Sequence, residues 1–221
     1  MLCNFKLIFK KINMELVSEY LFAPYYGYSR LNIFLELTAV VFGLLSVWFS
    51  RKNSTLVYPT GLITTSIYVY LLFHWRLLGD MLINGYYFLM GIYGWYFWSK
   101  KENGITINKI SRVTKFENYV LWIWFFVSLV LVNVVYFIFG IWGSIVGHID
   151  AMTTAIFFVA MLLMVRRKIE NWIFWIVGDI VSVPLYLYKG LTLTSLQYFI
   201  FTLLAIAGYI TWKKELKNNE A

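Results

Sequence analysis

Two tryptophans and a carboxylate share one helical stripe in the segment NWIFWIVGDIVSVPLY, which covers residues 171–186. Trp172, Trp175 and Asp179 stand at positions i, i+3 and i+7, so one face of a helix carries all three. Indole rings stack on flat rings and attract cations, and a carboxylate supplies the opposite charge. The spacing therefore predicts a binding wall for a flat, cationic, heteroaromatic solute. Taken alone, Trp172 is more typical of an aromatic residue at a membrane boundary.

Other polar side chains stand in strongly apolar surroundings. A charge at the centre of a membrane span costs about 2.5–3.5 kcal/mol on insertion scales, so it needs a reason. Besides the stripe, the candidate binding residues are Asn171, Asn84, Tyr87, Asp80 and Gln197. An isolated amide such as Gln197 also serves to join helices. For Glu36 and Asp150, structural pairing and a functional role remain equally good interpretations, whereas the position of Asp179 favours function.

The composition assigns the chain to the integral membrane proteins. Of its 221 residues, 61% are hydrophobic and 14% are charged, whereas soluble domains are about 45–50% apolar and about 25% charged. Disorder, a coiled coil and an ordinary cytosolic enzyme are thereby excluded. The net charge of +8 indicates cytoplasmic loops rather than a nucleic-acid partner. A single cysteine and the lack of Walker A, GxSxG and HExxH motifs predict no disulfide framework, no metal, no cofactor and no catalysis.

Apolar runs of about 20 residues predict an all-α fold with seven transmembrane helices. The predicted spans are 31–49, 55–74, 77–98, 119–139, 148–165, 171–188 and 191–212. Residues 1–30 are interpreted as an amphipathic or interfacial segment, and an eighth span within 14–30 stays open. Thirteen of the 19 Lys and Arg residues fall on one side. The positive-inside rule therefore predicts an outside N-terminus and a cytoplasmic tail at 213–221.

An internal repeat appears when the chain is shifted by 114 residues. Gly94, Trp98 and Lys100 then fall on Gly208, Trp212 and Lys214. The shift predicts two parallel three-helix units, 31–98 and 148–212, joined by a basic cytoplasmic loop and linker helix over 99–147. This 3+1+3 arrangement is that of the SWEET sugar transporters, whose substrate sites lie near the midplane between the halves. A duplication retained only for packing is the alternative.

Two segments, NGYYFLMGIYGWYFWSK at 84–100 and RRKIENWIFWIVGDIVSVPLYLYKG at 166–190, resemble the PnuC family of vitamin transporters. The resemblance covers about residues 31–215. It implies a SWEET-like homotrimer in the bacterial inner membrane that carries nicotinamide riboside by facilitated diffusion. A cytoplasmic kinase would then trap the vitamin by phosphorylation. The family's substrate contacts fall on Asn171, Trp175 and Asp179, and its amide position on the third helix falls on Asn84.

Two departures from the family pattern leave the substrate open between nicotinamide riboside and thiamine. Asp179 stands where several nicotinamide riboside carriers have Asn, and Asn84 stands where they often have Gln. Both vitamins carry a cationic heteroaromatic ring, whereas riboflavin is neutral and larger and ranks third. Proton coupling through Glu36, Asp150 or Asp179 is a second hypothesis. A membrane enzyme or sensor is a third, which the lack of a nucleophile or metal cluster disfavours.

Overall fold

The computed structural model describes residues 29–102, 105–140, 143–188 and 192–220. Within them, seven helices and one short hairpin follow one another along the chain. The helices are α1 (Arg30–Arg51), α2 (Val57–His74), α3 (Leu78–Ser99), α4 (Lys115–Ile138), α5 (Ile145–Val165), α6 (Asn171–Tyr188) and α7 (Thr192–Glu220). The hairpin pairs β1 (Lys101–Glu102) with β2 (Ile105–Thr106) in antiparallel register. The segment predicted to be interfacial lies almost wholly outside the described residues.

The expectation of a helical membrane protein is confirmed. Five helices of the described residues are long and apolar enough to cross a membrane: α1, α4, α5, α6 and the Thr194–Asn218 part of α7. Helices α2 and α3 fall outside this set because tyrosine, threonine, glycine and tryptophan make up much of them. The structure differs from the prediction in several places: the loop at 99–118 contains the β-hairpin, α4 and α5 begin at Lys115 and Ile145 rather than at 119 and 148, and the residues expected to form a tail continue α7 to Glu220.

Side-chain caps fix the starts of three helices. Thr114 accepts a hydrogen bond from the Glu117 backbone N–H at 3.2 Å, and the Glu117 carboxylate accepts one from the Thr114 N–H at 2.8 Å. This capping box starts α4 several residues before the apolar run begins. Ser29 caps α1 and Ser144 caps α5 through the same kind of bond to a backbone N–H.

Six of the helices form a closed ring of contacts. Helix α2 packs between α1 and α3, and α6 packs between α5 and α7. Contacts of α1 with α7 and of α3 with α5 close the circle. Helix α4 packs outside it against α5, which is why α5 is the most thoroughly buried candidate span. Side chains that point inward from α3, α5, α6 and α7 can therefore meet.

Positions 114 residues apart make the same close contacts. A Cβ atom on Gly94 would lie 2.2 Å from the Tyr58 ring, and one on Gly208 would lie 2.6 Å from the Trp172 ring. Tyr58 and Trp172 are themselves separated by that interval. Glycine is required at both places because a side chain there would displace a buried aromatic ring.

The loops that carry most of the basic residues lie together at one end of the bundle, hereafter the basic end. The indole N–H of Trp98 donates to the Val165 carbonyl at 2.9 Å, and that of Trp212 donates to the Ser50 carbonyl at 3.0 Å. The buried Arg167 guanidinium lies 4.1 Å from the Trp98 ring centroid. Burial lowers the pKa of Arg167, and the nearby Tyr58 and Glu215 oppose that shift.

Candidate substrate-binding site

Asp179 lies at the middle of α6, buried to 3% exposure. Among the described residues, none donates a hydrogen bond to its carboxylate, and the Lys and Arg side chains stand near or beyond the helix ends. An ionised carboxylate held in this way costs several kcal/mol of desolvation unless a partner compensates it. The position therefore favours a bound cation or a bound proton.

Three aromatic rings from three helices form a stack beside Asp179. The Trp175 and Phe157 centroids lie 5.4 Å apart with planes 29° apart. The Phe157 and Tyr198 centroids lie 5.9 Å apart with planes 5° apart. Tyr198 and Tyr87 are both close enough to Asp179 to interact with it electrostatically. The three rings of Trp175, Phe157 and Tyr198 are hereafter called the aromatic stack.

Gly178 allows the stack to form. A Cβ atom there would lie only 2.3 Å from Phe157 Cε1, so the Phe157 ring rests directly on the α6 backbone. The positions 114 residues earlier are Gly43 and Thr64, where a Cβ atom on the glycine would lie 3.6 Å from Thr64. In the first half of the chain the glycine lies on α1, the equivalent of α5, and the larger residue lies on α2, the equivalent of α6. Only the second half therefore presents an aromatic ring at this contact.

The structure brings some of the predicted site residues together and separates others. Trp175, Asp179 and Tyr87 meet at the aromatic stack, whereas Asn171 and Trp172 lie buried at the basic end. Asn171 donates to the Lys168 carbonyl at 2.6 Å. Trp172 packs edge-on against a second indole, that of Trp212, 5.5 Å away, so it is not a lipid-facing boundary residue.

The remaining predicted residues lie on the other side of the stack. Asn84 is one turn from Tyr87 and donates to the Asp80 carbonyl at 3.0 Å. Asp80 lies in the first turn of α3, and Gln197 is half-buried on α7 next to Tyr198. These side chains are thus candidates for contacting a substrate on its way to Asp179 rather than in its bound position.

A network of hydroxyls and carboxylates extends from the stack away from the basic end. Tyr136 donates to Asp150 Oδ2 at 3.1 Å and also interacts with Asp80. Tyr186 is hydrogen-bonded to Tyr198 and interacts with Asp150. Sequence reasoning missed the tyrosines of this network and Phe157, because tyrosines and phenylalanines are abundant in the apolar runs and carry no distinctive spacing.

The acidic residues of this region are Asp80, Asp150 and Asp179. No group of three His, Cys, Asp or Glu side chains in the described part of the chain could hold a metal ion. The buried Asp179 carboxylate next to stacked aromatic rings is suited to an organic cation with a flat ring.

The two tryptophans of the predicted wall should behave differently when removed. Trp172→Ala should lower the stability of the protein by about 3–5 kcal/mol, the usual cost of emptying a packed indole site. Trp175→Ala should leave stability closer to wild type and weaken binding of a cationic ring by about 1–2 kcal/mol. Thermal unfolding and ligand titration of both purified variants test this. Equal losses of binding in two equally stable variants would contradict the separation.

Helices long and apolar enough to cross a membrane, packed around a buried carboxylate and an aromatic stack, are typical of one class of protein, the membrane transporters of small solutes. A family model described as the nicotinamide mononucleotide transporter matches residues 33–214. The chain therefore belongs to this family, and the resemblance found in the sequence is confirmed.

Named relatives agree with that assignment. The nicotinamide riboside transporter PnuC of Escherichia coli K12 is 23% identical over 80% of this chain and 84% of its own length. The PnuC protein of Neisseria mucosa is 27% identical over 84% of this chain and 74% of its own length. A crystal structure of the vitamin B3 transporter PnuC superposes with a TM-score of 0.62 and 28% identity, covering 84% of this chain and 83% of that one. The protein is thus a membrane transporter rather than an enzyme, as predicted.

Proposed function

We propose that the protein imports nicotinamide riboside and binds its cationic ring between Asp179 and the aromatic stack. The observation that carries the proposal is a buried carboxylate that lacks a hydrogen-bond donor within the described residues and adjoins three stacked rings. A pyridinium ring supplies both the missing positive charge and a flat face. The relatives named above are nicotinamide riboside transporters, which favours this vitamin over thiamine and riboflavin.

The charge of the site argues against a phosphorylated substrate, although the family description names the mononucleotide. Phosphate recognition requires Arg, Lys or a cluster of free backbone N–H groups. The nearest basic residues in the described part of the chain are those at the two ends of the bundle. Asp80, Asp150 and Asp179 would repel a phosphate along the proposed path.

Transport would proceed by alternating access without coupling to an ion gradient. The contacts that recur after 114 residues support a 3+1+3 arrangement, with α1–α3 and α5–α7 as the moving units and α4 as the SWEET-like linker. A cytoplasmic kinase would trap the imported riboside. We further propose a homotrimer in the bacterial inner membrane, with an outside N-terminus and the basic end in the cytoplasm.

Calorimetry on the purified protein distinguishes the candidate substrates. Nicotinamide riboside should bind at least tenfold more tightly than thiamine, and nicotinamide mononucleotide should compete weakest for the site at Asp179 because its phosphate meets carboxylates. Riboflavin, which is neutral, serves as the uncharged aromatic comparison. Preference for thiamine would reassign the substrate within the same site, whereas preference for riboflavin would contradict the role of the charge.

A further inference from the structure

A cleft of about 280 Å³ opens at the basic end, remote from the aromatic stack. Its walls come from the loop after β2, the first turn of α4 and the turn between α5 and α6. Polar side chains make up most of its lining, including Asn108, Lys109, Ser111, Glu117, Arg166 and Lys168. Its volume is near the lower limit of about 300 Å³ for small-molecule pockets, so it suits a small anionic group better than a whole cofactor.

Backbone bonds hold the walls of this cleft in place. The Ser111 N–H donates to the Arg167 carbonyl at 3.1 Å, and the Ser111 carbonyl accepts from the Ile169 N–H at 3.0 Å. The loop and the turn are therefore paired like two strands. Lys168 strengthens the junction through an ion pair with Glu117 at 2.8 Å. The cleft is thus a built feature rather than a gap between mobile loops.

Two cations remain available at its rim. Glu117 is occupied by Lys168, and Lys109 and Arg166 have no acidic partner among the described residues. Lys109 stands on the loop and Arg166 ends the neighbouring α5 helix, so the two charges belong to different walls. An anion held between them would neutralise both. Arg is well suited to this because its planar guanidinium can donate two parallel hydrogen bonds to phosphate oxygens.

We propose that this cleft is a binding site for a phosphate group, held by Lys109 and Arg166. The phosphate can belong to a soluble phosphate monoester or to the headgroup of an anionic lipid, since basic pockets at the cytoplasmic side of membrane proteins bind both kinds of group. The occupant bridges the loop and the turn and so stabilises the basic end. This site is independent of the one at Asp179, whichever vitamin is transported.

The test compares the full-length protein with a double variant, Lys109→Gln with Arg166→Gln, at constant ionic strength. The matched control is Lys214→Gln with Lys217→Gln, which removes two exposed cations from the basic end outside the cleft. Soluble probes are inorganic phosphate and adenosine monophosphate, and binding is followed by the rise in the thermal unfolding midpoint. The lipid probe is phosphatidylglycerol in mixed vesicles with phosphatidylcholine, followed by native mass spectrometry.

The results distinguish a soluble phosphate ligand, a lipid headgroup and the absence of a phosphate site. A rise with either soluble probe in wild type and control, and at least tenfold weaker binding in the double variant, supports a soluble ligand. Retention of phosphatidylglycerol that is lost only in the double variant supports the lipid. No response to any probe, or equal losses in the control, overturns the proposal. Arg166→Lys, which keeps the charge, should retain most binding and guards against a folding defect in the double variant.

Discussion

Asp179→Asn is expected to weaken binding of nicotinamide riboside by about 1.5–3 kcal/mol, which is the range for a hydrogen-bonded contact to a charged group. The substitution preserves the shape of the side chain and removes the charge. Asp179 is 3% exposed, so little solvent screening reduces the effect. The protein itself should become no less stable, because the variant no longer buries an uncompensated charge. Calorimetry in detergent measures the affinity, and thermal unfolding measures the stability.

The control for this experiment is Glu102→Gln, which removes an exposed carboxylate from β1 at the basic end. It should leave affinity unchanged. The same titration with thiamine shows whether the contact is specific to one ring or general for cations. A folded Asp179→Asn protein with wild-type affinity for its preferred vitamin would show that Asp179 is a structural residue and that the substrate binds elsewhere.

Gly178→Ala is expected to impair both stability and binding. The new methyl group would lie 2.3 Å from Phe157 Cε1, so the ring must move, and overpacking of this kind costs about 1–3 kcal/mol. Because Phe157 is the middle ring of the aromatic stack, its displacement should also disturb Trp175 and lower affinity for the vitamin. Unfolding curves and titrations on the same preparation measure the two effects together.

Two further variants isolate the cause. Gly85→Ala adds the same methyl group to α3 at a position where it would meet no atom within 4 Å beyond its chain neighbours and the backbone of α3, and it should have little effect. Adding Phe157→Leu to Gly178→Ala should restore stability by making room, without restoring the stack or the affinity. Restored affinity in that double variant would show that Phe157 is packing alone and has no part in the site.

The sequence was sufficient to predict the helices but not all of their ends. Long apolar runs identify membrane helices because lipid leaves no alternative to a fully bonded backbone. The start of α4 was not predicted because Thr114 and Glu117 form a capping box in a polar stretch, before the apolar run begins. The end of α7 was not predicted for a similar reason: its polar last turns are helical and pack through Leu216, which a hydropathy pattern does not reveal.

For the proposed site, the sequence identified the buried carboxylate but not the side chains that surround it. Asp179 is conspicuous because a carboxylate is rare in an apolar run. The i, i+3 spacing placed Trp172 with Trp175, yet one lies at the basic end and the other in the stack, since a helical stripe passes several environments along its length. Phe157 and Tyr198 come from other helices, and only the packing of α5, α6 and α7 shows that they meet.

The most direct test of the central claim is counterflow in proteoliposomes. Vesicles loaded with unlabelled nicotinamide riboside should accumulate the labelled vitamin from outside at a rate that an imposed pH gradient does not change. The Asp179→Asn protein, reconstituted in equal amount, should exchange more slowly at low substrate concentration. Wild-type vesicles that exchange thiamine but not nicotinamide riboside, or that accumulate the riboside only when a pH gradient is imposed, would contradict the account.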